Sequence, residues 1–165
     1  MYVDLVSEPQ HESLIDLLVE LHGFYNEGAF VSREMVRDHL IVNLLASNSP
    51  HQLVVAFTGD QTVVGLAAIT WVYSLVDFAS EQRKQCQLKE LYVRSSHRSV
   101  GVGRALLSWV AGTAMVHGCR RLDWPVKAAN TRGIAFYEDL GAERVLDRLS
   151  YRLQGPALTK LAGHV

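Results

Sequence analysis

The first half of the chain places hydrophobic residues at helical spacing in two stretches and at strand spacing in three. Ser7 and Gln10 have the spacing of a capping box, and an apolar helix face follows them. That face consists of Leu14, Leu17, Leu18 and Leu21. A loop over 23–31 separates it from a second helix that begins at Ser32. Runs of β-favouring residues predict strands at 2–6, 53–57 and 62–73. The segment TGDQ at 58–61 predicts a hairpin turn between the last two.

The second half of the chain alternates further strands with helices. The β-favouring runs predict strands at 88–93, 121–126 and 149–153. One helix is predicted from about 103 to 117, and a second is capped by Asn130 and closed by Gly141. The resulting order, β-α-α-β-β-β-α-β-α-β, indicates an α+β protein with a mixed sheet. The tail at 155–165 is expected to be loose.

The segment between the strand at 88–93 and the next helix combines glycine with arginine. Gly101 and Gly103 lie where the chain turns into the helix, and Arg98 and Arg104 flank them. The first N–H groups of a helix lack internal partners, and the helix dipole is positive there. Without side chains at the two glycines, an anion can approach the backbone closely. The segment therefore predicts a ligand that carries phosphate, such as a pyrophosphate.

Composition and charge exclude several other classes of protein. A chain of 165 residues should form one domain with a sizeable core. The formal net charge of -1 lacks the excess of positive charge that is typical of proteins that bind nucleic acid or an anionic membrane. No apolar run approaches the roughly 18 residues that span a bilayer. Cys86 and Cys119 are too few for a disulfide framework or a zinc site. The histidines show no helical metal spacing, since His11-Glu12 lacks the second His of HExxH. The N-terminus does not have the pattern of a signal peptide, so the cytoplasm is the expected location.

Two blocks of the sequence resemble a known family. The pattern R-x-x-G-x-G at 98–103 resembles the acetyl-CoA-binding signature of the GNAT superfamily of N-acetyltransferases. The stretch NTRGIAFYEDLGAE at 130–143 is similar to its other hallmark, a short helix with Phe-Tyr closed by Gly-Ala. The resemblance is clear over 88–153. It implies a single domain at 1–154 in which helices flank a mixed, mostly antiparallel twisted sheet, with acetyl-CoA in a gap where two strands splay apart.

The resemblance also implies an activity and a set of contacts. The protein would move an acetyl group from acetyl-CoA directly to a primary amine, most similarly to enzymes that act on small molecules. The strand before the glycine loop would offer main-chain hydrogen bonds to the pantetheine arm and the acetyl carbonyl. The residues implied to contact acetyl-CoA are Leu91, Tyr92, Val93, Arg98, Ser99, Val100, Gly101, Val102, Gly103, Arg104, Asn130, Gly133 and Tyr137.

The resemblance implies catalytic roles for two residues. In the family, a Tyr at the position of Tyr137 commonly gives a proton to the departing thiolate, and Phe136 beside it is expected in the core. A thiol pKa near 8.5 against a phenol pKa near 10 makes this transfer plausible. Glu90 lies near an acidic position of the family and would take the amine proton, directly or through water. His97 is a weaker candidate for this base, and a solvated surface role for Glu90 remains open.

The sequence resembles the diamine and thialysine acetyltransferases most within the superfamily. Trp124, Val126 and Asn130 fit a stretch that often precedes the Phe-Tyr helix of that group. Tyr25 and Glu27, in the predicted loop after the first helix, are the implied contacts to a cationic amine. Two further acidic residues in the loop at 74–86 could border the site, namely Asp77 and Glu81. The resemblance also leads us to expect a homodimer, because dimers are common in the family.

Three alternatives stay open from the sequence. A dinucleotide-binding unit is favoured by Asp123, which follows Gly103 by 20 residues, but Leu106 occupies the position of its third glycine. A non-catalytic acetyl-CoA-binding or regulatory domain would use the same fold. Finally, the acceptor could be a protein amine rather than a small molecule.

Overall fold

Five strands of this computed structural model form one sheet, in the order in which they occur along the chain. They are β1 at Tyr2–Leu5, β2 at His51–Phe57, β3 at Val63–Tyr73, β4 at Lys84–Val93 and β5 at Leu122–Asp123. The first four strands are antiparallel to their neighbours, and β5 is parallel to β4. The structure describes residues 1–27 and 29–163. The expected α+β class with a mixed, mostly antiparallel sheet is confirmed.

In addition to the strands, the described residues form five α-helices. They are α1 at His11–Tyr25, α2 at Arg33–His39, α3 at Val102–Val116, α4 at Thr131–Asp139 and α5 at Pro156–Ala162. A π-helical turn at Leu40–Leu44 continues α2. Among the described residues, none of the helices combines the length and apolarity that a membrane crossing needs. The chain divides into two compact units, Met1–Pro125 and Val126–Val165. The single domain over 1–154 stays a prediction.

Consecutive residues are buried at 53–56 in β2 and at 63–69 in β3, so the sheet of the first unit is covered on both faces there. On one face the core joins α1, α2 and the sheet through Leu14, Ile15, Leu17, Val36, Leu40, Leu53, Val55, Val63, Leu66, Ala68 and Tyr92. On the other face α3 packs against β2, β3 and β4. Its buried residues are Val102, Leu106, Leu107, Val110 and Ala114. Each helix thus buries the apolar stripe that its spacing predicts.

Gly65 in β3 allows an unusually close approach of α3. A Cβ atom built on it would lie 2.9 Å from Val102 Cγ1 and 3.0 Å from Leu106 Cδ1. Both helix residues are buried. The start of α3 therefore packs directly on the sheet, at a position where any side chain would force its neighbours to move.

Several boundaries differ from the sequence predictions. The helix α1 continues through Gly23 to Tyr25, where a loop was expected, and β4 begins at Lys84, four residues before Leu88. The strand expected over 121–126 is only Leu122–Asp123, since Pro125 has no N–H for a sheet hydrogen bond.

Two predictions near the C-terminus also differ. The strand predicted over 149–153 is wrong: the structure has no strand there, and Leu149 and Tyr151 are 79% and 89% exposed. Alternating apolar residues stabilise a strand only when a partner strand and a core lie beside them. The tail expected to be loose contains α5, which starts at Pro156, a favoured first helical position.

Candidate active site

The loop between β4 and α3 turns sharply just before the helix. Ser99 and Gly101 both have positive φ, at 63° and 90°. The first hydrogen bond of the helix joins Ala105 N to Gly101 O at 3.0 Å. The amides of residues 102–104 therefore come before the first donor of the helix, as at every helix start. This geometry fits an anion, because a left-handed glycine bares the backbone at the positive end of the dipole.

The side chains of the signature do not all face this helix start. Arg98 Nε donates to Val93 O at 2.9 Å, and the guanidinium lies over the rings of Phe24 and Tyr92, at 5.6 and 5.3 Å from their centres. Arg98 thus ties the loop to β4 and α1. Val102 is 2% exposed, so only its backbone can reach a ligand. Direct contacts from Arg98 and from the exposed Val100 stay predictions.

The strand β4 has an open edge next to this loop. In the described part of the chain, β4 pairs with β5 only through Cys86 and Gln87. On the other side, Arg94 N donates to Val64 O at 2.9 Å. Since main-chain groups of a strand alternate between its two neighbours, Tyr92 hydrogen-bonds towards β3, whereas Leu91 and Val93 face the open edge. The main-chain contacts of Leu91, Tyr92 and Val93 to acetyl-CoA stay predictions, and the direction of their main-chain groups favours Leu91 and Val93.

A β-bulge in β4 decides where Glu90 points. Ile69 pairs with Leu88 and Ala68 pairs with Glu90, so Lys89 is the extra residue. Without it, Glu90 would share the face of Leu88, which is buried on the α3 side of the sheet. With it, Glu90 lies on the α1 side. The sequence analysis missed this bulge, because nothing in the local pattern marks it.

The structure brings together two residues that were predicted for different roles. Tyr25, the last residue of α1, donates its hydroxyl to Glu90 Oε1 at 3.2 Å. The same oxygen accepts from Leu91 N at 3.2 Å. Glu27 follows in an exposed turn, two residues after the helix ends. The predicted base and the predicted amine contact are therefore neighbours beside the open edge of β4.

Other acidic and basic candidates lie elsewhere. Asp77 and Glu81 line a cavity of about 330 Å³ with Lys84, Gln85, Arg120 and Arg121. At about 3.3 Å per residue, Lys84 is roughly 20 Å along the strand from Glu90, so these acids do not border the same site. His97 ends a 3-10 turn, where its Nδ1 lies 2.9 Å from Ser96 Oγ. The described residues contain no group of three or more His, Cys, Asp or Glu placed to hold a metal ion.

The second unit carries the remaining predicted residues on and before α4. Asn130 caps this helix, since its Oδ1 accepts from Gly133 N at 2.9 Å, as predicted. A Cβ on Gly133 would lie 2.5 Å from Asn130 Nδ2, so glycine makes room for the cap. Tyr137 follows within α4, and its ring centre is 5.3 Å from that of Phe136. The roles of Asn130, Gly133 and Tyr137 towards acetyl-CoA stay predictions.

Comparison with known proteins decides the family. The model of the family described as "Acetyltransferase (GNAT) family" matches residues 13–142, which include the β4 edge, the glycine loop and α4. The chain belongs to the GNAT acetyltransferase family. The suspected membership is confirmed, and the alternative of a dinucleotide-binding unit is wrong. Leu106, at the third glycine position of that alternative, is fully buried.

Curated relatives of this GNAT protein include two kinds of small-amine enzyme. Thialysine N-epsilon-acetyltransferase of Mus musculus is 31% identical over 109 residues, 61% of this chain and 58% of that protein. L-ornithine N5-acetyltransferase of Arabidopsis thaliana is 35% identical over 71 residues, 43% of this chain and 31% of that protein. A thialysine N-epsilon-acetyltransferase of Caenorhabditis elegans is 26% identical over 93% of this chain and 92% of its own. In the first of these alignments, the GNAT chain spans little more than half of its relative's length.

Solved structures agree on the fold. An integron cassette protein from the mobile metagenome of V. cholerae has a TM-score of 0.85 and 28% identity, with 98% of both chains covered. The ribosomal-protein-alanine N-acetyltransferase of Brucella melitensis has a TM-score of 0.71 at 17% identity, covering 94% of this chain and 100% of that one. The second likeness bears on the fold alone.

Proposed function

We propose that this GNAT protein is an acetyl-CoA-dependent N-acetyltransferase that moves an acetyl group directly to the primary amine of a small molecule. The observation that carries the proposal is the open edge of β4 beside the glycine loop. An open edge offers main-chain hydrogen bonds to an extended ligand, and a helix start offers them to phosphates. Both features meet at Val93, whose carbonyl accepts from Arg98 of the loop.

The proposed binding mode follows from these two features. The backbone from Ser99 to Arg104 would hold the pyrophosphate at the start of α3. Leu91 and Val93 would hydrogen-bond the arm of the molecule along the open edge of β4. The bound acetyl-CoA supplies an activated thioester. A main-chain N–H of this edge would polarise the acetyl oxygen, either that of Val93 or that of Leu91 after it releases Glu90 Oε1, and this role requires no particular side chain.

The proposed chemistry needs two proton transfers. The amine nitrogen must be neutral to attack, and Glu90 would take its proton directly or through a water molecule. The new C–N bond forms at the acetyl carbon while the C–S bond breaks. Tyr137 would then give its hydroxyl proton to the departing sulfur. The contacts of Glu90 with the Tyr25 hydroxyl and the Leu91 amide, beside the open edge of β4, support this proposed role.

For the acceptor we propose a small amine that carries a positive charge. The relatives named above act, by their names, on thialysine and ornithine, which are amino acids with a terminal primary amine. Tyr25 and Glu27, at the end of α1, are the proposed contacts to this acceptor, with Glu90 next to Tyr25. Cytoplasmic location and a homodimer stay predictions.

The test is release of coenzyme A from acetyl-CoA, followed with a thiol reagent, across a panel of acceptors. The panel contains thialysine, ornithine, lysine, polyamines, an aminoglycoside and short peptides with free N-termini. We expect turnover with the small cationic amines. Turnover with peptides alone would identify a protein acceptor. Binding of acetyl-CoA without any turnover would favour the non-catalytic alternative, and failure to bind it would overturn the whole proposal.

Substitution of Tyr137 tests the proton donor. Tyr137→Phe should lower kcat by roughly 10²-fold or more, the usual contribution of general acid catalysis, with little change in KM for either substrate. Tyr2→Phe is the control, because Tyr2 is an exposed residue of β1 that stacks on Phe57. An unchanged kcat in Tyr137→Phe would remove Tyr137 from the mechanism while leaving the binding proposal intact.

A further inference from the structure

The carboxylate of Glu20 joins α1 to the segment that leads into the glycine loop. Glu20 Oε1 accepts from Tyr92 Oη at 3.0 Å and from Ser95 N at 3.0 Å. Its other oxygen, Oε2, accepts from Arg94 Nη1 at 3.3 Å in an ion pair. One side chain of α1 thus binds Tyr92 in β4, Arg94 directly after the strand, and the amide of Ser95, which begins the 3-10 turn towards α3.

The environment of Glu20 is built for a charged carboxylate. The side chain is 27% exposed and that of Arg94 is 23% exposed, so water screens the pair only in part. Burial raises the pKa of Glu20, but the hydrogen bonds from Ser95 N–H and Tyr92 and the charge of Arg94 outweigh it and leave the pKa below its ordinary value. Glu20 is therefore ionised at neutral pH, when all three donors remain attracted to it.

A second contact from the same helix face reinforces the first. Phe24 lies one helical turn after Glu20, on the same face of α1. Its ring lies under the guanidinium of Arg98, which also stacks on Tyr92 and donates to Val93 O. Leu17, one turn before Glu20, is fully buried and anchors the helix in the core. The loop is therefore attached to a helix that cannot easily shift.

We propose that Glu20 is a positioning residue for acetyl-CoA, because it fixes the β4 end and the loop in the geometry that binds the pyrophosphate. This inference rests on the proposed function and adds to it a residue outside the signature. In this proposal Glu20 itself contacts neither substrate. It acts through Ser95, Arg94 and Tyr92, which hold the backbone that would contact the ligand. Its loss should weaken acetyl-CoA binding more than it slows the chemical step.

The experiment compares Glu20→Gln with Glu12→Gln. Glu12 is also a carboxylate of α1 that pairs with arginines, Arg33 and Arg37, but it lies at the opposite end of the helix. Glu20→Gln should raise the Kd and KM for acetyl-CoA by roughly tenfold, which is about 1.4 kcal/mol of binding free energy, while kcat changes less than roughly threefold. Glu12→Gln should leave the Kd and KM unchanged. Equal acetyl-CoA affinity in both variants and the wild type would overturn the inference.

Hydrogen exchange provides a readout that does not depend on activity. In the protein without ligand, Glu20→Gln should speed exchange of the Ser95 amide and of the amides at 95–101, and Glu12→Gln should not. Arg94→Gln should reproduce part of the effect, and combining it with Glu20→Gln should add less than the sum of the two. Unchanged exchange would show that the contacts of Glu20 do not hold the loop, and would refute the inference. If the wild type fails to bind acetyl-CoA while exchange responds as expected, the proposed function is wrong but Glu20 still holds the loop.

Discussion

Substitution of Gly65 by alanine tests the seating of α3 on the sheet. The added Cβ would lie 2.9 Å from Val102 Cγ1, 3.0 Å from Leu106 Cδ1 and 3.3 Å from Tyr92 O. Ordinary carbon contacts are about 3.5–4.0 Å, so the neighbours must retreat by roughly half an ångström or more. Val102 is stiff at χ1 and both helix residues are buried, so the helix start itself must move.

The expected cost of this overpacking is about 1–3 kcal/mol of unfolding free energy, measured by urea denaturation. The displaced helix start would also misplace the proposed pyrophosphate site, and we expect acetyl-CoA affinity to fall by roughly tenfold in titration calorimetry, equivalent to about 1.4 kcal/mol. Affinity should fall even where the variant remains fully folded.

Gly112→Ala is the matched control on the same helix. No atom lies within 4 Å of a Cβ at Gly112, in the middle of α3. Alanine is favoured over glycine in a helix by up to about 1 kcal/mol, so this change should stabilise the protein and leave acetyl-CoA affinity unchanged. The two substitutions are chemically identical, and their effects on stability should have opposite signs. A Gly65→Ala variant as stable as the wild type, with unchanged affinity, would refute the close packing.

Three further predictions concern side chains in both units. Cys86 and Cys119 should not react with a thiol reagent in the native protein and should both react in urea, because both are buried and burial raises the pKa of Cys86 to about 12. Asn130→Ala should cost about 1 kcal/mol by urea denaturation and speed exchange of the Gly133 amide, since the helix cap is lost; unchanged exchange would contradict the cap. Burial raises the pKa of Glu20, but the hydrogen bonds from Ser95 and Tyr92 outweigh it and lower the pKa below its ordinary value of about 4.5. The ionised carboxylate therefore stabilises the folded protein above about pH 4.5, and this contribution is lost as the pH falls through the lowered pKa. Wild type should thus lose more unfolding free energy than Glu20→Gln between about pH 5 and 3, and parallel losses would count against the ion pair.

Local sequence patterns determined much of this protein. The leucine spacing of α1, the capping box at Ser7 and Gln10, and the Asn130 cap all involve residues three or four positions apart. The glycine loop is equally local, because the positive φ of Gly101 needs only the absence of a Cβ. Such features are visible in one stretch of chain, and they were sufficient to suggest the family.

The tertiary structure decided the features that depend on pairing between distant residues. The bulge at Lys89 exists only in the register of β4 against β3, and it alone turns Glu90 towards Tyr25. The choice of Glu20 as partner of Ser95 likewise depends on how α1 crosses the sheet. Periodicity states which face of an element is apolar, but a register shift of one residue reverses every following side chain.

The failed strand at 149–153 has the same origin. Its alternation of apolar and polar residues satisfies the local pattern of a half-buried strand, yet a strand also requires hydrogen bonds from a neighbour. The sequence alone thus determined the family, the helix faces and the loop that bares its backbone. Only the folded chain decided which strands pair and which acid stands beside the open edge, because those depend on contacts between residues far apart in the chain.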